Sequence, residues 1–236
     1  MKPKILITRP QNEARELAFY LENKGFEAII EPIFSVKSSE ITEKFAENEI
    51  QAIILTSIGA NEAFLAANFA KNVKIFTIGE KTAQKLLQNG YENVIFPKIS
   101  NFLALKELIL ENCDKNKGKI LYFCGNFITF DFAKWLESEG FLAQKILAYK
   151  IEYKDSFSSD FLNKIKSQKI DYVLVFSKNA AKNLYFLVKN HNLLEYFEDS
   201  MIIGFSDEIM RKIKEIGFKN FGNFREISAL KNFYNL

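Results

Sequence analysis

Residues 5–10 read Ile5-Leu6-Ile7-Thr8-Arg9-Pro10, a short apolar run that ends in a turn. Such a run is typical of a strand that is buried on both faces of a parallel sheet. The pattern then changes to helical spacing, with Asn12 as the predicted N-cap residue and Gly25 as the residue that stops the helix. A strand, a turn and an amphipathic helix in this order predict one unit of an α/β fold. The buried face of the helix is predicted to carry Ala14, Leu17, Ala18 and Leu21.

Short β-branched and aliphatic runs alternate with amphipathic stretches along the rest of the chain. Short strands separated by helical spans imply parallel sheets with helices on both faces, so the predicted fold class is α/β. The predicted strands are residues 27–32, 52–56, 74–78, 94–96, 119–123, 142–149, 172–176 and 201–203.

The sequence also contains an internal repeat. Any two α/β units look partly alike, because Leu-x-x-x-Gly-Phe simply describes the end of a helix. Matches that keep their order across successive elements nevertheless favour a duplicated half. The matches are Lys4-Ile5-Leu6 with Lys119-Ile120-Leu121, Gly25-Phe26 with Gly140-Phe141, Ile54-Leu55-Thr56-Ser57 with Leu174-Val175-Phe176-Ser177, and Ile78-Gly79 with Ile203-Gly204.

The composition narrows the classes of function. The 236 residues are 48% hydrophobic and 26% charged, which excludes an intrinsically disordered chain. Lys plus Arg total 32 and Asp plus Glu total 29, and a net charge of +3 gives no electrostatic footprint for nucleic acid. Phe64, Phe69, Phe132 and Trp135 are predicted to lie on helical faces next to aliphatic residues. We therefore expect the aromatic residues to pack in the core and not to stack on nucleic-acid bases.

Few residues are available for metal or nucleophilic chemistry. His191 is the single histidine, and Cys113 and Cys124 form no Cys-x-x-Cys motif, so the sequence predicts no metal site, no Ser-His-Asp triad and no disulfide framework. The glycine-rich nucleotide-binding motifs are missing, so no nucleotide cofactor is predicted. The longest apolar runs are far shorter than the ~20 residues that span a bilayer. With two unpaired thiols and no signal-peptide pattern, we predict a cytoplasmic protein without membrane contact.

The turns after the predicted strands are short and rich in hydroxyls, glycine and occasional cations. Ligands of open parallel sheets bind beyond the carboxyl ends of the strands, where helices begin. Backbone N–H groups at a helix start, together with a Ser or Thr hydroxyl, bind carboxylate or phosphate. The same Ser and Thr residues are also ordinary N-caps, and the sequence leaves both interpretations open. The turns are residues 8–10, 56–59, 78–82, 124–126, 176–179 and 204–207.

The residues of these turns resemble the uroporphyrinogen-III synthase family over essentially the whole chain and in order. The most specific match is Ile78-Gly79-Glu80-Lys81-Thr82-Ala83 before a helix. The other matches are Thr8-Arg9-Pro10, Thr56-Ser57, Ala148-Tyr149, Phe176-Ser177 and Ile203-Gly204.

The resemblance implies two flavodoxin-like parallel-sheet domains joined by a two-stranded linker. The first domain would combine residues 1–35 with residues 151–236, and the second would be residues 36–150. The linker strands would lie around residues 32–36 and 147–151. In this arrangement each domain draws on both halves of the internal repeat.

The resemblance also implies the reaction. Its substrate is hydroxymethylbilane, a linear tetrapyrrole with eight carboxylates. The hydroxymethyl end loses water, and the ring closes with inversion of the last pyrrole through a spiro intermediate. No cofactor is implied. We expect a monomer that makes transient contact with the upstream deaminase and binds no nucleic acid.

The resemblance assigns one candidate catalytic residue, Tyr149. A phenol is a weak acid, so Tyr149 would act by its placement, protonating or hydrogen-bonding the leaving hydroxyl. The candidate substrate-binding residues are Arg9, Thr56, Ser57, Thr82, Gly125, Ser177, Lys178 and Ser206.

The chain departs from the family pattern at two turns. The second-half turn reads Ile203-Gly204-Phe205-Ser206-Asp207-Glu208, where the family usually has Pro-Thr-Thr-Ala, and the acids Asp207 and Glu208 would repel substrate carboxylates. Phe176 replaces a threonine before Ser177, and Lys178 replaces a proline and adds a cation at a helix start. A different class of function is also open: a cytosolic two-lobed sensor that binds an anion without catalysis.

Overall fold

A computed structural model of the protein describes residues 2–233 and divides into two compact units. The terminal unit contains the chain up to Ser35 and the chain from Glu152 onward. The central unit is Val36–Ile151. The boundaries between the two units fall inside the strands Phe34–Ser38 and Ala143–Tyr153, so strands carry the chain from one unit to the other.

Strands and helices alternate along the described chain. The strands are β1 (Lys4–Ile7), β2 (Glu27–Ile30), β3 (Phe34–Ser38), β4 (Ile50–Leu55), β5 (Ile75–Thr77), β6 (Val94–Ile95), β7 (Lys119–Gly125), β8 (Ala143–Tyr153), β9 (Tyr172–Val175), β10 (Met201–Gly204) and β11 (Phe221–Asn223). The helices are α1 (Gln11–Glu22), α2 (Asn61–Ala66), α3 (Glu80–Gln88), α4 (Phe102–Asn112), α5 (Phe132–Ser138), α6 (Ser159–Ile165), α7 (Lys178–Asn190), α8 (Asp207–Ile216) and α9 (Ser228–Phe233).

Each unit is built on one sheet. The terminal sheet has the order β11-β10-β9-β1-β2, with every pair parallel. Counted within the unit, this is the flavodoxin order. The central sheet has the order β3-β8-β7-β4-β5-β6, and its pairs from β8 to β6 are parallel. These parallel, doubly wound sheets confirm the predicted α/β class.

Core clusters cover both faces of each sheet. Successive strand residues point to opposite sides, so most strands contribute to both clusters of their sheet. In the terminal sheet, Leu6 and Val173 belong to one core cluster, whereas Ile7 and Leu174 belong to another. The central sheet likewise divides its strand residues between two clusters. The predicted burial of the helical face of α1 is confirmed, since Ala14, Leu17, Ala18 and Leu21 are all buried.

The internal repeat pairs strands that occupy the same position in the two sheets. The strand β1 matches β7, β4 matches β9 and β5 matches β10 in sequence. In space, β2-β1-β9-β10 and β8-β7-β4-β5 follow the same order. The central unit therefore has the strand arrangement of the terminal unit in a circularly permuted order, because its chain forms β4, β5 and β6 before β7 and β8. Each sheet takes two strands from one half of the repeat and the remainder from the other half.

Several predicted boundaries were wrong. Asn12 is not the N-cap residue, because the helix begins at Gln11 and Pro10 precedes it at a φ of −52°, with no side-chain cap hydrogen bond. The strands β7 and β8 extend past their predicted ends, and the helices α4, α6 and α9 were not predicted. Within residues 2–233, no helix is both long enough and apolar enough to span a membrane.

Candidate functional site

The predicted site residues lie at the carboxyl edge of each sheet, the edge where its parallel strands end. They form two groups. The central group consists of Thr56 and Ser57 after β4, Thr82 after β5, Gly125 at the end of β7 and Tyr149 in β8. The terminal group follows β1, β9 and β10, and consists of Arg9, Ser177, Lys178 and Ser206.

Two glycines form the seat of the Tyr149 ring. A Cβ atom on Gly125 would lie 2.5 Å from both Cε2 and Cζ of Tyr149 and 2.9 Å from its Oη. A Cβ atom on Gly59 would lie 3.4 Å from Cζ. Carbon atoms in contact are normally about 3.5–4.0 Å apart, so the ring occupies the space that a side chain at residue 125 would need. The structure thus gives Gly125 a contact with Tyr149.

A β-bulge brings Tyr149 to this seat. Cys124 pairs with Leu147 and Gly125 pairs with Tyr149, so Ala148 is the extra residue in β8. The alternation of buried and exposed residues changes there. Leu147 is 39% exposed, whereas Ala148 and the next residue, Tyr149 at 8%, are both buried. In a regular strand with no bulge, Tyr149 would point to the same side of the sheet as Leu147, two residues earlier.

A buried tyrosine lies beside Thr56. The Oγ1 of Thr56 is 3.2 Å from the Oη of Tyr122, and Tyr122 also donates to the carbonyl of Phe130 at 3.3 Å. Burial raises the pKa of Tyr122 to about 12, although the hydrogen bond with Thr56 acts in the opposite direction. Tyr122 therefore stays neutral at physiological pH and offers a fixed hydroxyl behind Thr56.

Ser57 and Thr82 lie at helix starts, and Asn61 connects these starts. The Ser57 hydroxyl accepts from the Gly59 N–H at 3.2 Å and caps a short 3-10 helix. The Asn61 amide donates to the Thr82 carbonyl at 3.4 Å, and both residues are buried. Among the described residues, none is hydrogen-bonded to the Asn61 Oδ1, although this atom is buried. An unsatisfied buried acceptor costs about 1–3 kcal/mol, so this oxygen marks a place where a donor would be stabilising.

The terminal group contains two further N-caps. The Ser177 hydroxyl accepts from the Ala180 N–H at 3.0 Å at the start of α7. The Ser206 hydroxyl accepts from the Ile209 N–H at 3.3 Å at the start of α8. Ser177 is also hydrogen-bonded to Tyr153. The pKa of Tyr153 is raised, because burial raises it more than the hydrogen bond with Ser177 lowers it. The N-cap interpretation thus holds for both serines.

The two cations of the terminal group have acidic partners. The Lys178 Nζ is 3.1 Å from a carboxylate oxygen of Glu208, so an ion pair joins the first turns of α7 and α8. The Arg9 guanidinium is paired with Glu13 and lies 4.6 Å from the centroid of the Phe176 ring. To clamp a substrate carboxylate, each cation would have to exchange or share its present partner.

The two phenylalanines at the divergent turns stack on one another. The ring centroids of Phe176 and Phe205 are 4.2 Å apart with an interplanar angle of 21°. Phe205 in turn stacks on the buried Phe224 at 4.9 Å. This aromatic stack supports the Arg9 guanidinium at the carboxyl edge of the terminal sheet.

Four residues with contacts to the predicted site were not predicted as site residues: Asn61, Tyr122, Asn126 and Tyr153. Asn126 lies in the predicted turn 124–126, and Asn61 follows the predicted turn 56–59, so their positions could have drawn attention to them. Tyr122 lies inside a strand and gave no such signal. For metal binding, residues 2–233 contain no cluster of three or more His, Cys, Asp or Glu side chains that could hold an ion.

Comparisons with known proteins identify the family. The family model described as uroporphyrinogen-III synthase HemD matches residues 15–221. The porphyrin biosynthesis protein HemD of Ruminiclostridium josui is 26% identical over 192 residues, which are 76% of this chain and 38% of that protein. This chain therefore spans well under half of that relative. A putative uroporphyrinogen-III synthase of Methanocaldococcus jannaschii is 24% identical over 226 residues, which are 92% of this chain and 90% of that protein.

A solved structure has the same fold. The crystal structure of uroporphyrinogen-III synthetase from Helicobacter pylori aligns with a TM-score of 0.65 and 15% sequence identity, covering 99% of this chain and 98% of that one. The family model covers far more than half of the sequence. The chain belongs to the uroporphyrinogen-III synthase family.

Proposed function

We propose that this chain is the uroporphyrinogen-III synthase of heme biosynthesis. It takes hydroxymethylbilane, removes the terminal hydroxyl as water, and closes the ring with inversion of the last pyrrole. The observation that carries the proposal is the match of the family model to residues 15–221. We propose that the reaction uses no cofactor.

In this proposal Tyr149 is the catalytic residue. Its O–H gives a proton to the hydroxyl, which leaves as water, while the lone pair of the adjacent pyrrole nitrogen drives this departure. The pyrrole N–H proton then passes to the Tyr149 phenolate, which restores the phenol and leaves a neutral azafulvene. The contacts of the ring with Gly59 and Gly125 support this role, because a weak acid gains most from a fixed position. With 8% of the residue exposed, the surrounding side chains also restrict movement of the Tyr149 ring.

The carboxylates of the substrate would bind at helix starts. Ser177 fixes the first turn of α7, whose remaining N–H groups favour an anion. Ser206 fixes the first turn of α8 in the same way, but Asp207 and Glu208 in that turn act against an anion. Arg9 and Lys178 would add positive charge by exchanging Glu13 and Glu208 for a substrate carboxylate. On the central sheet we propose that Thr56, Ser57, Thr82 and the backbone at Gly125 contribute further contacts. Thr82 is buried, whereas Thr56 and Ser57 are partly exposed.

The organisation around this activity is also a proposal. We propose that the terminal and central units are the two folding domains, and that the enzyme acts as a monomer in the cytoplasm. Its substrate also cyclises without an enzyme, to the type I isomer. A transient contact with the deaminase that makes hydroxymethylbilane would therefore shorten the time the substrate spends free.

The test of the activity is the isomer of the product. The purified protein is coupled to the deaminase, and the porphyrins are separated after oxidation, with the deaminase alone as control. We expect the type III isomer, whereas type I alone would overturn the assignment. Binding of the linear tetrapyrrole with a raised melting temperature and no type III product would instead favour the sensor without catalysis.

Tyr149→Phe tests the catalytic residue in the same assay. The variant keeps the ring in its seat and removes only the O–H, so we expect a folded protein whose turnover falls by about 10²–10⁴-fold, the usual contribution of a positioned acid. Turnover at the wild-type rate would remove Tyr149 from the mechanism.

A further inference from the structure

We propose that Asn126 is a positioning residue that holds Tyr149 over Gly125 by clamping β8 beyond its bulge. The inference rests on the proposed function, because it concerns the residue that carries out the proposed proton transfer. It concerns a side chain that was not among the predicted site residues.

On the side away from β3, the strand β8 loses its regular partner just where Tyr149 must be fixed. The neighbouring strand β7 ends at Gly125, and Gly125 pairs with Tyr149 after the bulge at Ala148. A bulge leaves the extra residue unpaired and bends the strand, so its geometry needs support from the residues that follow. The strand β8 nevertheless continues to Tyr153.

Asn126 supplies the hydrogen bonds that a longer β7 would make to β8. Its backbone N–H donates to the Tyr149 carbonyl at 3.3 Å. Its side-chain Oδ1 accepts from the Ile151 N–H at 2.8 Å, and its Nδ2 donates to the Ile151 carbonyl at 3.1 Å. One residue thus holds β8 on both sides of Lys150, and its carboxamide bonds to Ile151 as the backbone of a neighbouring strand would.

The chemistry of this clamp is specific to a carboxamide. The Ile151 N–H needs an acceptor and the Ile151 carbonyl needs a donor, and a carboxamide of this length supplies both. In Asn126→Asp the acceptor is kept, but a carboxylate oxygen replaces the donor and faces the Ile151 carbonyl. In Asn126→Ala both side-chain bonds are lost, while the backbone bond to Tyr149 is kept.

The Tyr149 ring is sensitive to small movements of this strand. The ring lies against Gly125 on the strand β7 and against Gly59 in the loop after β4. A relaxed bulge would let the ring shift along or away from these glycines, and a misplacement of about 1 Å can cost about 10²-fold in rate. Asn126 itself need not touch the substrate.

The position of the ring can be measured without activity. With 3-fluorotyrosine incorporated at residue 149, we expect the ¹⁹F resonance to shift or broaden in Asn126→Ala and Asn126→Asp. Gln51→Ala is the matched control, because the Gln51 carboxamide also bonds to backbone groups, those of Asp114, Lys117 and Gly118, but at the opposite edge of the same sheet. This control should leave the ¹⁹F resonance in place. An unmoved resonance in both Asn126 variants would overturn the proposal.

A double-mutant cycle shows whether Asn126 acts through Tyr149. We expect Asn126→Ala alone to lower turnover by about 10–100-fold with a smaller change in KM. In the Tyr149→Phe background the same substitution should lower turnover by no more than about twofold, since the O–H that it positions is already gone. Equal losses in both backgrounds, or wild-type turnover of Tyr149→Phe, would overturn the positioning role.

Failure of this proposal is distinguishable from failure of the proposed function. If the wild-type protein produces only the type I isomer, the activity is wrong, and the ¹⁹F spectra still decide whether Asn126 fixes the ring. If the wild-type protein produces the type III isomer and the resonance does not move, only the role of Asn126 is wrong.

Discussion

The substitution Gly125→Ala should separate catalysis from folding. The new Cβ would lie 2.5 Å from Cε2 and Cζ of Tyr149, whereas carbon atoms in contact are about 3.5–4.0 Å apart. The ring must therefore retreat by about 1 Å. Gly125 does not have a positive φ, so the backbone itself accepts alanine and the effect comes from the side-chain contact.

Two magnitudes follow from this displacement. Overpacking of this size costs about 1–3 kcal/mol of stability, which most domains, at about 5–15 kcal/mol, can lose and remain folded. A catalytic group displaced by about 1 Å costs about 10²-fold in rate. We therefore expect type III isomer formation to fall about 100-fold in a protein that still unfolds cooperatively.

The assay combines denaturant unfolding with the coupled isomer assay. Gly79→Ala is the control for the substitution in the unfolding measurement, because a Cβ there meets no atom within 4 Å and its φ of −135° suits alanine. Because Gly79 is the N-cap residue of α3, where glycine is preferred to alanine, we expect this control to lose about 0.5–1 kcal/mol, less than Gly125→Ala. Repeating Gly125→Ala in a Tyr149→Ala background should remove most of the destabilisation. If the full cost persists without the ring, contact with Tyr149 is not its cause.

Two further predictions concern stability. Tyr122 has a folded pKa of about 12 against an ordinary value of 10.0, so its phenol is neutral in both states below pH 10, and between pH 10 and 12 only the unfolded chain ionises. Unfolding of wild type and Tyr122→Phe across this window should show wild type losing about 2 kcal/mol relative to the variant, and a constant difference would contradict the raised pKa. Ser177→Ala removes the cap of α7, and we expect a loss of about 0.5–2 kcal/mol in the same measurement; no loss would show that the bond to the Ala180 N–H is not stabilising.

The sequence was sufficient for most strands of the two sheets, because the repeat and the short apolar runs report on positions that are buried on both faces. The edge strand β11, at Phe221–Asn223, was not predicted. The match of Lys4-Ile5-Leu6 with Lys119-Ile120-Leu121 correctly paired β1 with β7, which hold the same place in the two sheets. The helix α4 escaped prediction because its apolar residues are not confined to one face. Leu105 and Ile109 are buried, but Leu103 and Leu110 are exposed.

The candidate site was predictable only in part. The cap serines follow strand ends and could be located from the sequence alone. The direction of the Tyr149 side chain could not, because it depends on one extra residue, Ala148, in the pairing of β8 with β7. A shift of one residue reverses the side of the sheet to which every later side chain points. The clamp by Asn126 depends on the same bulge, so it too became visible only with the paired strands.

The duplicated halves provide the same frame for two different sets of side chains. Ser57 after β4 and Ser177 after β9 occupy matching positions, and both are N-caps. The residues before them differ. Thr56 shares a hydrogen bond with the buried Tyr122, whereas Phe176 stacks on Phe205 and supports the guanidinium of Arg9. The central edge therefore offers hydroxyls around Tyr149, and the terminal edge offers cations on an aromatic base. Proton transfer suits the first set of groups and carboxylate binding suits the second, so we expect substitutions at the central edge to lower kcat and those at the terminal edge to raise KM.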